Sequence, residues 1–470
     1  MHRIHLAELR DASAAWAGVS IAFVAVNAAL AMTLTILYSG SVRLAAGELP
    51  LMAATAYTIV QGLNALVIRF VAVPIVAGAT SLVVDSRRGA LARLALSGAT
   101  PAQVRGTVTS QLVAVSLVSA VVGDAVGLAL VVPMLRLVDY SARAEPLHVS
   151  IDPLYSLLPL IAGSLLCVLV EVIGGGKQAR LASEIPPVEA LRQSLAPTRS
   201  GRLTTGGWIR LVLLALLVAG LFASVPLQVA HRYKETVSNL LILGFFQIVI
   251  WGALLAVVAP WVIQPLTSAW TRWVPSRAPV WLLARATVAA RVERLYKSVV
   301  PVMFTIGIAV ASVGLGASMV DTLAASMADV RLEGSSWESL VMMFGAPLSI
   351  ALAGGVGALT MMGSQRSADL ALAGVVGAIP AQRTLIPLLE AVIITGSAAL
   401  LSLGMVVPAY AFQAWSLTAA GLTYRLNVPV VVGAVAVAIC LVVTIAATVL
   451  PTLRSQRSPE PRVIMRLVAA

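Results

Sequence analysis

Few side chains in this 470-residue chain stand where they could make or break a covalent bond. Of the four histidines, His2 and His5 could share one helix face, and His148 and His231 fall in connecting segments. None has the spaced Cys, Asp or Glu companions that a metal site needs. Cys167 and Cys440 both lie inside apolar runs and read as small hydrophobes, which excludes a disulfide framework or a zinc cluster. No Ser/His/Asp set can be assigned to one depth, so an intramembrane enzyme is not expected. The one Gly-Gly-Gly-Lys run, ending at Lys177, closes an apolar segment and lacks the preceding strand that a phosphate loop requires. Four ionisable residues in apolar surroundings remain: Arg69, Asp124, Glu171 and Glu390. Such groups are costly in hydrocarbon and face protein or water. Glu171 and Glu390 lie within about two helical turns of a predicted inner end, where a long side chain can snorkel. Arg69 and Asp124 lie deeper, roughly 24 to 27 Å from the segment between their two helices at 1.5 Å per residue. They are expected to form a buried Arg69–Asp124 ion pair, structural first and gating or substrate-facing second.

These residues need apolar elements to hold them, and the composition supplies little else. The chain is 59% hydrophobic and only 11% charged, with a mean hydropathy of +0.95. So few charges cannot cover a soluble surface of this size. Windows of about 19 residues give ten candidate spans. They fall near 16–38, 54–84, 106–137, 153–173, 211–229, 240–264, 299–320, 340–363, 384–412 and 428–450. The first run is long enough to be retained and lacks a persuasive cleavage site, so it reads as a span and no signal peptide is expected. The loops on the outer side are too short for a folded domain.

The net charge of +12 is a topology signal. With the N-terminus inside, 24 of the 32 basic residues fall on inner segments, which places both termini in the cytoplasm by the positive-inside rule. No nucleic acid partner is needed to explain the charge. Tryptophans such as Trp208, Trp270, Trp273, Trp281, Trp337 and Trp415 near predicted interfaces fit an aromatic belt. Gly123-x-x-x-Gly127 and Gly354-Gly355-x-Gly357 fit close helix packing.

Self-comparison exposes a duplication. SRRGALARLALSGATPAQ at 86–103 is echoed by SQRSADLALAGVVGAIPAQ at 364–382 with an offset of 279. Arg87 meets Arg366, Leu91 meets Leu370, Gly98-Ala99 meets Gly377-Ala378, and Pro101-Ala102-Gln103 meets Pro380-Ala381-Gln382. Glu390 aligns with Gln111, whereas Arg69 and Asp124 align with Leu348 and Leu403. The chain therefore reads as four spans (1–200), a two-span connector (201–275) and four spans again (276–470), the two repeats running parallel. Within 86–97, Arg87, Arg88 and Arg93 alternate with Leu91 and Leu94 at the spacing of a short amphipathic helix. Gly98 suits a left-handed cap, Thr100 an N-cap, and Pro101 the first turn of the next helix. The second copy predicts a helix at 364–376. A helix presented twice on the inside is built to grip something.

These residues resemble the FtsX-like permeases, the membrane subunits of the ABC transporter branch that includes MacB-like, Lol-type and Bce-type proteins. In that family an Arg-x-x-x-Leu stretch followed by Gly-Ala-x-Pro-x-Gln joins the second and third helices of each unit. Arg87, Leu91, Gly98, Ala99, Pro101 and Gln103 match it, as do Arg366, Leu370, Gly377, Ala378, Pro380 and Gln382. A Pro-x-x-Ala-Leu-Arg-like stretch after the fourth helix matches Pro187 to Arg192, and the second copy departs from it at Ile464 and Met465. A basic elbow helix before each unit fits Trp281 to Ser298 well and Arg3 to Ala15 less well. The resemblance implies an all-α integral membrane protein of ten spans, closest to the Bce-type plan without a large extracellular domain, in a bacterial plasma membrane. It also implies an ATPase-coupling set of Arg87, Arg88, Leu91, Arg93, Leu94, Gly98, Pro101, Arg366, Leu370, Gly377 and Pro380. Those residues would dock on separate cytoplasmic ABC ATPase subunits, two per chain, which hold the ATP and Mg; this chain binds no cofactor. The expected activity is export or extraction of an amphipathic peptide, antibiotic or lipid-like compound, an efflux and antimicrobial-resistance role. An ion-coupled secondary transporter and an ABC-linked signalling or scaffold protein are the alternatives.

Overall fold

The computed structural model describes residues 13–47, 51–86, 91, 94, 96–142, 153–183, 205–230, 236–274, 278–290, 292–326 and 337–456. Among the described residues the chain is all helix, with no strand. Uninterrupted apolar windows favour this, because a helix satisfies its own backbone N–H and C=O groups where no water can. The order is α1 (Ser13–Ala45), α2 (Leu51–Ser86), α3 (Pro101–Ala142), α4 (Pro153–Ser183), α5 (Thr205–Ala230) and α6 (Thr236–Arg272). It continues with α7 (Pro279–Ala290), α8 (Val292–Ser326), α9 (Trp337–Met361), α10 (Gly363–Val375), α11 (Pro380–Ala419) and α12 (Val430–Gln456).

All ten predicted spans are helices. Nine of the described helices are long and apolar enough to cross a membrane. The tenth, α4, is 31 residues long, but its apolar stretch is only Leu157–Val172. The expected elbow at Trp281 to Ser298 is divided between α7 and the start of α8.

Within the first group, α1 touches α2, α3 and α4, and α4 also touches α2 and α3. In the last group, α8 touches α9, α11 and α12, and α12 also touches α9 and α11, so the two groups share one set of pairings. In neither does the second helix lie along the third, because the first helix stands between them. The groups join chiefly through α9, which packs on α1 and α2. That joint is tight: a Cβ on Gly18 would come within 2.6 Å of the Gly357 carbonyl oxygen, and one on Gly354 would run into Ile75. Gly123 and Gly127 let α3 close on α1 in the same way, a Cβ at Gly127 falling 2.6 Å from the Ala28 carbonyl. Small residues let backbones touch where lipid offers no hydrophobic drive between helices.

The centre of the molecule is α8, whose Met303, Phe304, Ile308 and Leu315 are fully buried. α6 lies on α8 and α11, and α5 packs outside α6, exposing Leu213 and Leu216. The described tryptophans divide: Trp208 and Trp273 are exposed, whereas Trp281 is buried in the core and Trp270 donates its indole N–H to Ser397 Oγ at 3.0 Å. At the far end of the last group, the 420–429 connection is pinned on α8. Asn427 N donates to Ser318 Oγ at 2.9 Å, Arg425 N to Thr322 Oγ1 at 3.0 Å, and Asn427 Nδ2 to Asp321 Oδ2 at 2.7 Å.

Candidate functional site: two helix and turn units

The duplicated motif folds the same way twice. Residues Leu91, Leu94 and Leu96 are helical, and Gly98 follows at φ 99°. Ala99 N donates to the Leu94 carbonyl at 3.1 Å, Thr100 N to Gln103 Oε1 at 2.8 Å, Gln103 N to Thr100 Oγ1 at 3.3 Å, and Val104 N to the Thr100 carbonyl at 3.0 Å. A left-handed residue ends one helix, and a reciprocal capping box opens the next at Pro101.

The helix expected at 364–376 is α10, and its turn repeats these bonds at the offset of 279. Gly377 has φ 106°. Ala378 N donates to the Ala373 carbonyl at 2.9 Å, Ile379 N to Gln382 Oε1 at 3.1 Å, and Arg383 N to the Ile379 carbonyl at 3.1 Å. Ile379 has no hydroxyl, so only the glutamine half of the box remains. Only glycine takes a positive φ cheaply, and Pro101 and Pro380 give up no backbone bond at a first turn.

Each unit has an anchored side and a presented side. Leu91 and Leu370 are each 5% exposed; Leu91 packs with Val84, Val104 and Val108, and with Leu94 and Ala99 at the margin. At the tip, Leu96 and its equivalent Val375 are exposed, joined by Leu372, Val376 and Ile379. Val376 is 89% exposed. Sequence reading missed these apolar tip residues, because a leucine in an amphipathic helix does not announce whether it faces core or water.

Arg366, expected among the docking charges, is turned inward. It is 4% exposed, and its Nε donates to Glu390 Oε2 of α11 at 2.8 Å. Thr287 Oγ1 of α7 donates to Glu390 Oε1 at 3.0 Å. One carboxylate thus ties α10, α11 and the elbow helix α7 together. The Glu390 alignment with Gln111 was the available signal; its burial against a partner, rather than snorkelling, was not readable. Arg87, Arg88 and Arg93 lie outside the described residues.

The expected Arg69–Asp124 ion pair does not form. Arg69 is exposed on α2, and Asp124 on α3 accepts a hydrogen bond from Ser164 Oγ of α4 at 2.6 Å. The expectation took consecutive antiparallel helices to be neighbours, but α1 separates α2 from α3. Among the described residues no group of His, Cys, Asp and Glu could hold a metal ion, and Cys167 and Cys440 are both free and buried.

No curated protein and no solved structure matches the chain. Residues 63–187 match the family model described as FtsX-like permease C-terminal, a stretch that runs from α2 through the first turn, α3 and α4. The described helices have the lengths and composition of a multi-pass membrane protein, and its residues 63–187 are similar to the FtsX-like permeases.

Proposed function

We propose that this chain is the membrane subunit of an ATP-driven ABC transporter, with hydrolysis on separate cytoplasmic ATPase subunits. One observation carries the reading: the turn inside the FtsX-like match is rebuilt at an offset of 279 with the same backbone bonds, buried leucine and exposed apolar tip. An apolar tip on a rigid, glycine-terminated helix is a protein-docking feature, and two of them accommodate two ATPases. Closure of those ATPases pushes on the tips. Long helices continuous with the turns, α3 at 42 residues and α11 at 40, carry the motion across the bilayer. Both termini lie in the cytoplasm of a bacterial cell, and the cargo is amphipathic, exported or extracted from the membrane.

The test is purification of the tagged chain from its native membrane in mild detergent. An ABC ATPase is expected at about two copies per chain, falling toward one when Leu372 and Val375 of the second tip are both changed to Ser. Recovery of the chain alone, with transport in ATP-free vesicles, overturns the reading in favour of an ion-coupled carrier.

A further inference from the structure

Glu171 of α4 is 1% exposed, and Asn27 of α1, against which it lies, is also 1% exposed. Both protons of the Asn27 amide are engaged: Nδ2 donates to the Phe23 carbonyl at 2.9 Å and to Glu171 Oε1 at 3.4 Å. Those two acceptors fix which way the amide points, leaving Asn27 Oδ1 as an acceptor. Asn27 Oδ1 and Glu171 Oε2 are both fully buried and both lack a hydrogen-bond partner. They belong to two side chains already joined by the Nδ2 to Oε1 bond. Two acceptors cannot bond to each other without a hydrogen between them.

The other described donor against Glu171 is the Ser116 hydroxyl of α3, buried as well, and its single hydrogen can serve only one of these acceptors; no described group supplies a compensating charge. Glu171 forms no ion pair, the buried pair being Arg366–Glu390 in the other group of helices. The helices packed on α4 are α1, α2 and α3. Their ionisable residues facing this region are few. α1 carries only Tyr38 and Arg43, both toward its far end; α2 carries the exposed Arg69; α3 carries Asp124, which is bonded to Ser164. On α4 itself Cys167, one turn away, is a free, buried thiol. An uncompensated carboxylate in hydrocarbon is among the costliest groups a membrane protein can hold.

We propose that Asn27 and Glu171 form an intramembrane proton-binding site, in which a proton taken from water onto Glu171 Oε2 is donated to Asn27 Oδ1 and closes a two-bond ring between acid and amide. The loaded site joins α1 to α4. Release of the proton to water leaves a carboxylate between two acceptors and disfavours that contact, so proton occupancy and the α1–α4 packing are linked. No counterpart exists in the last group: the offset of 279 puts Ile306 in place of Asn27, and the register that pairs the cysteines puts Thr444 in place of Glu171.

Infrared difference spectroscopy on the full chain in lipid nanodiscs at neutral pH tests this without any ATPase, so its outcome is separate from that of the transporter reading. A protonated-carboxyl stretch is expected that moves with ¹³C-glutamate but not ¹³C-aspartate labelling, shifts in D₂O, and is missing from Glu171→Gln. In Asn27→Leu it should move to the higher frequency of a carboxyl with one fewer hydrogen bond. If Glu171→Gln fails to fold, labelling and Asn27→Leu decide alone. A spectrum without that stretch overturns the site, as does a stretch indifferent to D₂O or to Asn27→Leu. A carboxylate signal that responds to exchange of Na⁺ for K⁺ assigns a metal cation instead and also overturns it.

Discussion

The helices at 13–183 and those at 292–456 share a set of pairings and a turn, yet they spend their buried acids differently. In the last group, Glu390 locks α10 by pairing with Arg366 and accepting from Thr287. In the first group, Gln111 stands at that position, and the carboxyls are Glu171 against Asn27 and Asp124 against Ser164. The last group has Thr444 and Leu403 at the corresponding places. Backbone punctuation, set by glycine, proline and glutamine, has stayed common to both, while the polar interior has diverged. A shared frame needs only helix ends and close approaches, whereas each buried charge must find its own local partner.

The largest expected effect breaks the comparison at its most polar point. Arg366→Leu leaves Glu390 buried without its cation and should cost about 3 to 5 kcal/mol in unfolding experiments, whereas Arg366→Leu with Glu390→Leu should cost clearly less. Equal losses in the single and double variants would show that the pair is not what holds α10. Next comes the joint between the groups. Gly357→Leu forces a side chain into the Gly18 carbonyl, and overpacking of this kind costs about 1 to 3 kcal/mol. Cysteine cross-linking across α1 and α9 should fall with it, and unchanged cross-linking would deny the close approach.

A smaller effect sharpens the contrast. Gln111→Glu gives the first group the acid that the last one has at this position. It should be tolerated, while Glu390→Gln should lose about 1.5 to 3 kcal/mol, the worth of a hydrogen bond to a charged group. Both are read by thermal unfolding in detergent, and a collapse of Gln111→Glu would mean that the first group holds its helix by other means. The smallest stability change, within about 0.5 kcal/mol, belongs to Leu372→Ser and Val375→Ser, because both side chains are exposed. Their effect should fall on ATPase binding alone.

Much of this frame was legible in the sequence. Ten apolar windows became ten helices, and Gly98-Ala99 and Gly377-Ala378 fell at the helix ends where a left-handed cap is needed. Lateral neighbours were not legible. Hydropathy fixes where a helix lies along the chain but not which helices touch, so Arg69 and Asp124 were paired across a gap that α1 fills. Nor could charge type tell a docking arginine from an anchoring one, since Arg366 differs from a surface arginine only by Glu390, 24 residues along the chain. The apolar tips stayed hidden for the complementary reason: Leu91 and Leu96 are the same residue type, one buried and one exposed.

The central claim is that both tips meet an ATPase. Single cysteines placed at Leu96 and at Val376 in the chain, co-expressed with the ABC ATPase proposed as its partner, test this by cross-linking in native membranes. Each position is expected to cross-link to an ATPase subunit, and the two together to give a species with two ATPases per chain. Failure of both positions to cross-link, with the complex otherwise assembled, would contradict the account.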